Sequence, residues 1–316
     1  MSAAAVVARV DFGACVLLLE DGSLLGARVR GRLMGHRKSL GNAVVVGDHV
    51  GFEALVSARA GIDAHITSIE PRRNAFARGS AGGRSEEQVV AANLDQVVLV
   101  TSVADPPFSA GLADRVLCQA EHSGLPARLV LNKTDLAGGE GDAAPQEILD
   151  AYARAGVPGH AVCAKRGGPA LDELRHACRG RRSLFVGHSG VGKSTLLNAL
   201  VTGLDLLEGA INQKTGKGRH TTTAAVLVRP EPGFELIDTP GVRTFTLWGI
   251  GPRDLDQAYR EFHPFLGSCR FNDCRHRGEP GCAVRAANDE GRIAARRYQS
   301  YLKLLEELEA EAGRPA

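Results

Sequence analysis

Nine consecutive residues, Gly187-His188-Ser189-Gly190-Val191-Gly192-Lys193-Ser194-Thr195, have the make-up of a phosphate cradle. The apolar run Ser183-Leu184-Phe185-Val186 precedes them and the helix-like run Leu196-Leu197-Asn198-Ala199-Leu200-Val201 follows. Strand, glycine-rich loop and helix in the pattern GxxxxGK[ST] form the P-loop signature. Glycines let the backbone close around a phosphate with its N–H groups pointing inward. The helix N-terminus adds partial positive charge. Lys193 would reach the outer phosphates of a nucleoside triphosphate, and Ser194 would hold Mg²⁺. A chance glycine turn would lack the flanking strand and helix.

The base that such a site reads is written elsewhere. Ala127-Arg128-Leu129-Val130-Leu131 reads as a buried strand, and Asn132-Lys133-Thr134-Asp135 follows it. NKxD is the guanine-reading motif of GTP-binding proteins. The Asp135 carboxylate can accept hydrogen bonds from guanine N1–H and the 2-amino group, whereas adenine would leave that charge unpaired. Asn132 would brace the loop and the Lys133 stem would lie along the base. The segment Cys163-Ala164-Lys165 is a shortened match to the SAK loop behind guanine, with Cys in place of the usual Ser. The Ala164 N–H could meet the guanine carbonyl oxygen.

Two further segments complete the constellation. Phe234-Glu235-Leu236-Ile237 leads into Asp238-Thr239-Pro240-Gly241, a DxxG motif. Asp238 would orient Mg²⁺ through a water, and the Gly241 N–H would sense the γ-phosphate. Gly218-Arg219-His220-Thr221-Thr222-Thr223 suits a switch segment, with Thr221 or Thr222 able to cap Mg²⁺. In chain order the base reader precedes the P-loop, the reverse of an ordinary GTPase. Parallel strands can be permuted while the same loops still meet at their C-terminal edge.

The elements that must position these loops alternate from Asn93 onward. Gln96-Val97-Val98-Leu99-Val100 is a continuous apolar strand, helical spacing follows near 110–123 and again near 146–155, and His160-Ala161-Val162 is another strand. This alternation implies a parallel α/β sheet. Before it, residues 4 to about 72 read as short strands. Ala14–Leu19 and Leu24–Arg30 flank the turn Asp21-Gly22-Ser23, and Val44–Phe52 and Ala64–Ile69 continue the pattern. Short strands with glycine turns suggest an OB-fold barrel. Arg28, Arg30, Arg32, Arg37 and Lys38 form a basic edge that could follow RNA or simply face solvent. The stretch Gly79–Ser85 has linker composition.

Toward the other end, residues 252–265 look helical, and Cys269, Cys274, His276 and Cys282 fall in the spacing C-x₄-C-x-H-x₅-C. Three thiolates and one imidazole make a closed tetrahedral Zn²⁺ site, structural because no open position remains for water. Arg270, Arg275, Arg277 and Arg285 surround it, and the stretch Gly291–Ala312 is a strong helix former. Cys15, Cys118, Cys163 and Cys178 stand apart. Seven cysteines, an odd number with a terminal cluster, fit a reducing cytosol better than a disulfide framework.

Composition sets bounds on all this. With 316 residues, 44% hydrophobic and 23% charged, the chain is that of a soluble globular protein with two or three domains. A net charge of +2 confines any nucleic-acid surface to local patches. No apolar run reaches the roughly 18 residues of a membrane span, and the first residues lack the pattern of a signal peptide. No membrane partner is expected.

NKTD ahead of GHSGVGKST, then GRHTTT, DTPG and C-x₄-C-x-H-x₅-C, resembles the bacterial circularly permuted, ribosome small-subunit-dependent GTPase A family. The resemblance covers nearly the whole chain, including Ala92–Val97 and the turn Gly47-Asp48-His49-Val50. It implies an N-terminal OB-fold RNA-binding domain at 1–75, a linker at 76–90, a permuted P-loop GTPase domain at 91–245 and a helical zinc-binding domain at 246–316. It further implies a cytoplasmic, monomeric factor, with one Zn²⁺ and with Mg²⁺ alongside GTP. Such a factor binds the small (30S) subunit and its 16S rRNA in the GTP state, late in maturation, and hydrolyses GTP to GDP when the subunit stimulates it.

The catalytic expectation is Lys193, His220 and Thr222. Many GTPases orient the attacking water with a Gln just after DxxG, but here that position is Val242, which cannot hydrogen-bond to water. His220 is the nearest replacement in sequence, and the resemblance places a catalytic histidine in GxHTTT. Two rival readings are a P-loop kinase using ATP and an RNA-binding zinc and OB protein with vestigial hydrolysis. NKTD and the lack of a phosphate-acceptor site oppose the first. RNA binding with no nucleotide-dependent change would favour the second.

Overall fold

The computed structural model describes residues 3–11, 14–29, 43–59, 62–80, 86–138, 144–201, 204, 224–242 and 244–313, with backbone alone at 56–59. The barrel comes first: β1 (Ala3–Asp11), β2 (Ala14–Leu18), β3 (Leu24–Val29), β4 (His49–Arg59) and β5 (Ile62–Ile69). Their order is β1-β2-β3-β5-β4, and β4 pairs back to β1, so the five strands close. β3 and β5 run parallel and the other barrel pairs are antiparallel, which is an OB-like barrel as the strand pattern implies. The expected hairpin turn forms between β2 and β3, where Asp21 Oδ1 accepts the Ser23 N–H at 2.8 Å and Gly22 takes φ +83°.

One expectation shifts here. The fourth strand begins at His49 and not at Val44, because Gly47 turns at φ +91°. A Cβ on Gly47 would lie 2.2 Å from the Ala92 carbonyl oxygen, so only glycine fits this junction. Of the basic edge, Arg28 is exposed on β3, while Arg30, Arg32, Arg37 and Lys38 lie outside the described residues.

The expected linker at 76–90 also changes. β6 (Ala75–Gly79) and β7 (Glu87–Ala92) pair antiparallel there, burying Phe76, Ala77, Val89 and Ala91. The glycine-serine composition that suggested a linker describes only the span between them. The strands form because their apolar side chains have a core to enter.

The second sheet region contains β8 (Gln96–Ser102), β9 (Ala127–Asn132), β10 (Gly159–Ala161), β11 (Arg181–Gly187), β12 (Val226–Glu231) and β13 (Phe234–Asp238). Their order in space is β10-β9-β8-β11-β13-β12. All neighbours run parallel except β12, which is antiparallel to β13. Every residue of β8 is buried, as a strand covered on both faces requires. α1 (Ala110–His122) and α2 (Pro145–Ala153) pack on one face, and α3 (Pro169–Cys178) on the other, beside α4 (Lys193–Leu200). The reversal of winding after β10 places α3 opposite α1 and α2.

The barrel and this sheet are continuous, since β1 also pairs with β12 at Arg9 and Val226. Alternation along β1 sends Ala5 and Val7 into the barrel interior and Val6 and Ala8 into the core of the larger unit. Arg182 reinforces the seam by donating to the Gly47 carbonyl at 2.7 Å and to Glu235 at 2.6 Å.

The stretch 252–265, expected as a helix, instead makes two 3-10 turns, Leu255–Ala258 and Arg260–Phe265. Extended Tyr259 separates them, Pro264 removes a donor, and Tyr259 and Phe262 are both fully buried. Helices α5 (Ala283–Asp289) and α6 (Ala295–Ala312) follow. Gly291, expected to open the last helix, closes α5, with φ +73° and its N–H on the Asn288 carbonyl.

Candidate functional site

Four loops converge at the C-terminal edge of the parallel strands. Gly187 ends β11, Asn132 ends β9, Asp238 ends β13, and Cys163-Ala164-Lys165 follows β10. Asn132 links three of them. Its Nδ2 donates to the Val191 carbonyl at 3.0 Å and the Gly192 carbonyl at 3.4 Å, while its Oδ1 accepts the Ala164 N–H at 3.1 Å. The base-reading motif, the glycine loop and the Cys163 loop are therefore tied by one buried amide. Gly192 takes φ +84° as the N-cap of α4, and a Cβ there would sit 2.6 Å from Asn132 Nδ2. Gly190 turns at φ +88°.

Asp135 stands in a 3-10 turn, Thr134–Leu136, entered through Lys133 at φ +60°. The Thr134 N–H bonds the Val162 carbonyl at 3.2 Å, fixing the turn to the end of β10. The Cys163 thiol donates to Asp135 Oδ1 at 3.2 Å, the task a serine hydroxyl would perform. That hydrogen bond holds the Asp135 carboxyl below its ordinary value, with Arg166 and Lys165 adding smaller pulls. Asp135 is thus an anionic acceptor at the mouth of the site. The Lys133 ammonium bonds the Asp105 carbonyl, so its stem passes beside Gly192.

Lys193, buried in the first turn of α4, contacts the Asp238 carboxylate and the Thr239 carbonyl. Thr239 Oγ1 donates to the Phe185 carbonyl at 2.7 Å, pinning the DxxG loop to β11. Gly241 lies against the glycine loop, where a Cβ would come within 2.9 Å of Ser189 Cα. His188 bonds the Ser189 carbonyl through Nδ1 at 2.6 Å and bridges to Val242. Val191 is buried beneath the loop, while Ser189, Gly190, Ser194 and Thr195 are exposed above it. Burial pushes the Asp238 carboxyl up even though Lys193 pulls it down. A buried carboxylate and an exposed Ser194 hydroxyl are oxygen donors of the kind a hard divalent cation takes. His220, Thr221 and Thr222 lie outside the described residues.

The second centre is the cysteine cluster. The ligand atoms of Cys269, Cys274, His276 and Cys282 all lie within 4.8 Å of one another. His276 Nδ1 is 3.6 Å from Cys269 Sγ, 3.6 Å from Cys274 Sγ and 3.4 Å from Cys282 Sγ. A tetrahedron with ordinary Zn–S and Zn–N lengths has N···S edges of about 3.5 Å, so this cluster could hold one metal ion. The Ala283 and Arg285 N–H groups point at Cys269 and Cys282, offering charge to thiolates. His276 takes φ +57°, and α6 grips the loop through Tyr298 Oη on the His276 carbonyl at 2.6 Å.

Asp256 carries no local sequence signal for a role here. Its carboxylate lies 3.4 Å from His276 Nε2, on the ring edge away from the sulfurs. A carboxylate there orients a metal-binding imidazole. Arg297 is likewise invisible to a motif search. Buried on α6, it contacts Asp114 of α1 and donates to Glu261 at 2.6 and 3.1 Å, with Tyr152 Oη on Asp114 at 2.8 Å.

A parallel sheet whose C-terminal edge gathers a GKST loop, an NKTD turn and a DxxG loop, joined to an OB-like barrel, has the architecture of a permuted GTPase-like class. The RsgA GTPase family matches residues 69–248, and the chain belongs to it. The "Small ribosomal subunit biogenesis GTPase RsgA" of Chlorobaculum parvum is 41% identical over 308 residues, covering 96% of this chain and 97% of that protein. Among solved structures, YjeQ from Thermotoga maritima superposes with a TM-score of 0.75 at 29% identity, each chain covered completely. YloQ, described as a circularly permuted GTPase, gives a TM-score of 0.72 at 22% identity over 100% of this chain and 97% of that one, a likeness of fold.

Proposed function

We propose that this protein is a GTP hydrolase that assists late maturation of the small ribosomal subunit, binding the subunit with GTP and leaving after hydrolysis. The observation that carries the reading is the Asn132 amide, which joins the base reader to the phosphate loop although the chain writes them in reversed order. The names of the relatives point to the same process.

Asp135 accepts the two guanine donors, with Cys163 steadying its carboxylate. The Ala164 N–H faces the base carbonyl and the Lys133 stem covers the base. Lys193 leaves Asp238 for the β- and γ-phosphates, a change of partner between two charges already in contact. Ser194, Asp238 and Thr221 or Thr222 hold Mg²⁺, which neutralises charge on the phosphates when bound. The Gly241 N–H meets the γ-phosphate. Val242 cannot orient water, so His220 takes that task when the ribosome orders its segment. The cysteine cluster holds one structural Zn²⁺.

In this reading the barrel over 1–75 binds 16S rRNA, residues 91–245 form the nucleotide domain and 246–316 the zinc module, joined to the barrel side by the β6–β7 hairpin. The working form is a cytoplasmic monomer, and among the described residues no helix is long and apolar enough to cross a membrane. The test is GTP turnover with and without purified small subunits, for the wild type and His220→Ala. Stimulation in the wild type and none in the variant is expected. Equal stimulation in both removes His220 from the mechanism, and no stimulation of the wild type overturns the reading.

A further inference from the structure

A row of polar side chains crosses the α3 face of the sheet at the opposite, N-terminal edge. Gln96 is the first residue of β8, Arg128 the second of β9 and Arg181 the first of β11. The registers Val98 with Arg128 and Ser183 with Gln96 put all three side chains on one face. Gln96 is buried and its orientation is fixed, because Nε2 donates to Ser183 Oγ at 2.8 Å and to the Ala177 carbonyl of α3 at 3.0 Å. Its Oε1 then receives Arg128 Nε at 3.0 Å and Arg181 Nη1 at 3.5 Å.

Two guanidinium groups therefore converge on one neutral oxygen. Among the described residues no carboxylate pairs with Arg128, Arg175 or Arg181, whereas Arg179 close by is paired to Glu231 at 3.5 Å. Arg175 lies on the inward stripe of α3 with Leu171, Leu174 and Cys178, and its Nε is enclosed with no hydrogen-bond partner. His160, on β10 opposite Val130 and so on the Arg128 face, is 8% exposed, and neither ring nitrogen has a partner. Among the described residues its acidic neighbour is Glu173, 3.9 Å away with a side chain 72% exposed. Burial and the charge of Arg181 both pull Arg128 toward giving up its proton. Like charges set side by side, Arg128 half-buried and Arg181 exposed, repel unless an anion lies between them. Guanidinium forks match phosphate oxygens two at a time.

We propose that Arg128, Arg175 and Arg181, set by Gln96 and flanked by His160, form a phosphate-binding site separate from the nucleotide loops. The phosphate belongs either to an RNA backbone or to free inorganic phosphate, and the experiment distinguishes them. The full chain is first saturated with Mg·GDP, which occupies the Lys193 loop. Inorganic phosphate and a single-stranded RNA oligonucleotide are then titrated separately, and the arginine Nε–Hε resonances are followed, assigned through Arg128→Gln, Arg181→Gln and Arg179→Gln. The Arg128 and Arg181 signals are expected to move in at least one titration while that of Arg179 stays. Movement with phosphate alone identifies a small-anion site, and movement with RNA alone a backbone contact.

If RNA is the source, the double variant Arg128→Gln/Arg181→Gln loses roughly tenfold or more in RNA affinity. Its salt slope also flattens by about 1.4, from roughly 0.7 per lost phosphate contact. Unchanged GDP affinity verifies that the variant folds. Silence of both arginine signals in both titrations overturns the proposal. Where RNA alone moves them, an RNA effect of the double variant no larger than that of Arg179→Gln also overturns it, marking diffuse charge only.

Discussion

In the proposed function, base selection depends on Asp135. An asparagine there keeps one acceptor and turns the other into a donor facing guanine donors. Each hydrogen bond to a charged group contributes about 1.5–3 kcal/mol. Asp135→Asn is therefore expected to weaken GDP binding about 100-fold in calorimetry. An unchanged affinity would remove Asp135 from the base site. His160 makes a second prediction. Burial first, and then Arg128, hold its imidazole below the ordinary 6.5, and Glu173 only partly restores it. The unfolded chain accepts a proton that the folded chain refuses. The contribution of neutral His160 is therefore full above about pH 6.5 and falls as pH drops toward the folded value. Between pH 7.5 and 5.5 the urea midpoint of the wild type should fall further than that of His160→Gln. Parallel curves would contradict this.

At the scale of elements, α6 secures two things through side chains far apart in the chain. Arg297 reaches 183 residues back to Asp114 and 36 back to Glu261. Its ring neighbours Tyr259 and Tyr152 lie 4.5 and 5.2 Å from the guanidinium carbon. Taking away the cation leaves two carboxylates buried without a partner. Arg297→Met should thus cost about 3–5 kcal/mol in urea unfolding. A loss below 1 kcal/mol would mean that the carboxylates find other partners. The 3-10 turn Leu255–Ala258 carries Asp256 to the back of His276. Asp256→Asn is expected to weaken zinc binding 10–100-fold in competition with a chromogenic chelator. Equal affinity would leave Asp256 as a surface charge.

Over the whole molecule, the GKST, NKTD and DxxG loops were legible because each is a local pattern at the end of an apolar strand. Asn132 bonds the glycine loop, Lys193 contacts Asp238, and the ligand atoms of Cys269, Cys274, His276 and Cys282 gather in one cluster. The five-strand barrel was equally plain from its turns. What stayed hidden is what depends on distant partners: the β1–β12 pairing, Arg182 on the Gly47 carbonyl, and the Arg297 network. The β6–β7 hairpin was obscured because linker composition outweighed two short apolar segments. The helix expected at 252–265 gave way because Tyr259 takes an extended backbone between two short turns and Pro264 supplies no N–H to continue one.

Because β12 pairs with both β13 and β1, one continuous ladder joins the Asp238 loop to the barrel. That continuity matters only if the four loops act as one guanine nucleotide pocket. The direct test is displacement of a fluorescent GDP analogue from the full chain by Mg·GTP and by Mg·ATP. GTP should displace it at concentrations roughly 1,000-fold below those at which ATP does, since a site built to pair guanine rejects a base lacking its donors. Displacement by ATP at concentrations comparable to GTP would contradict the account.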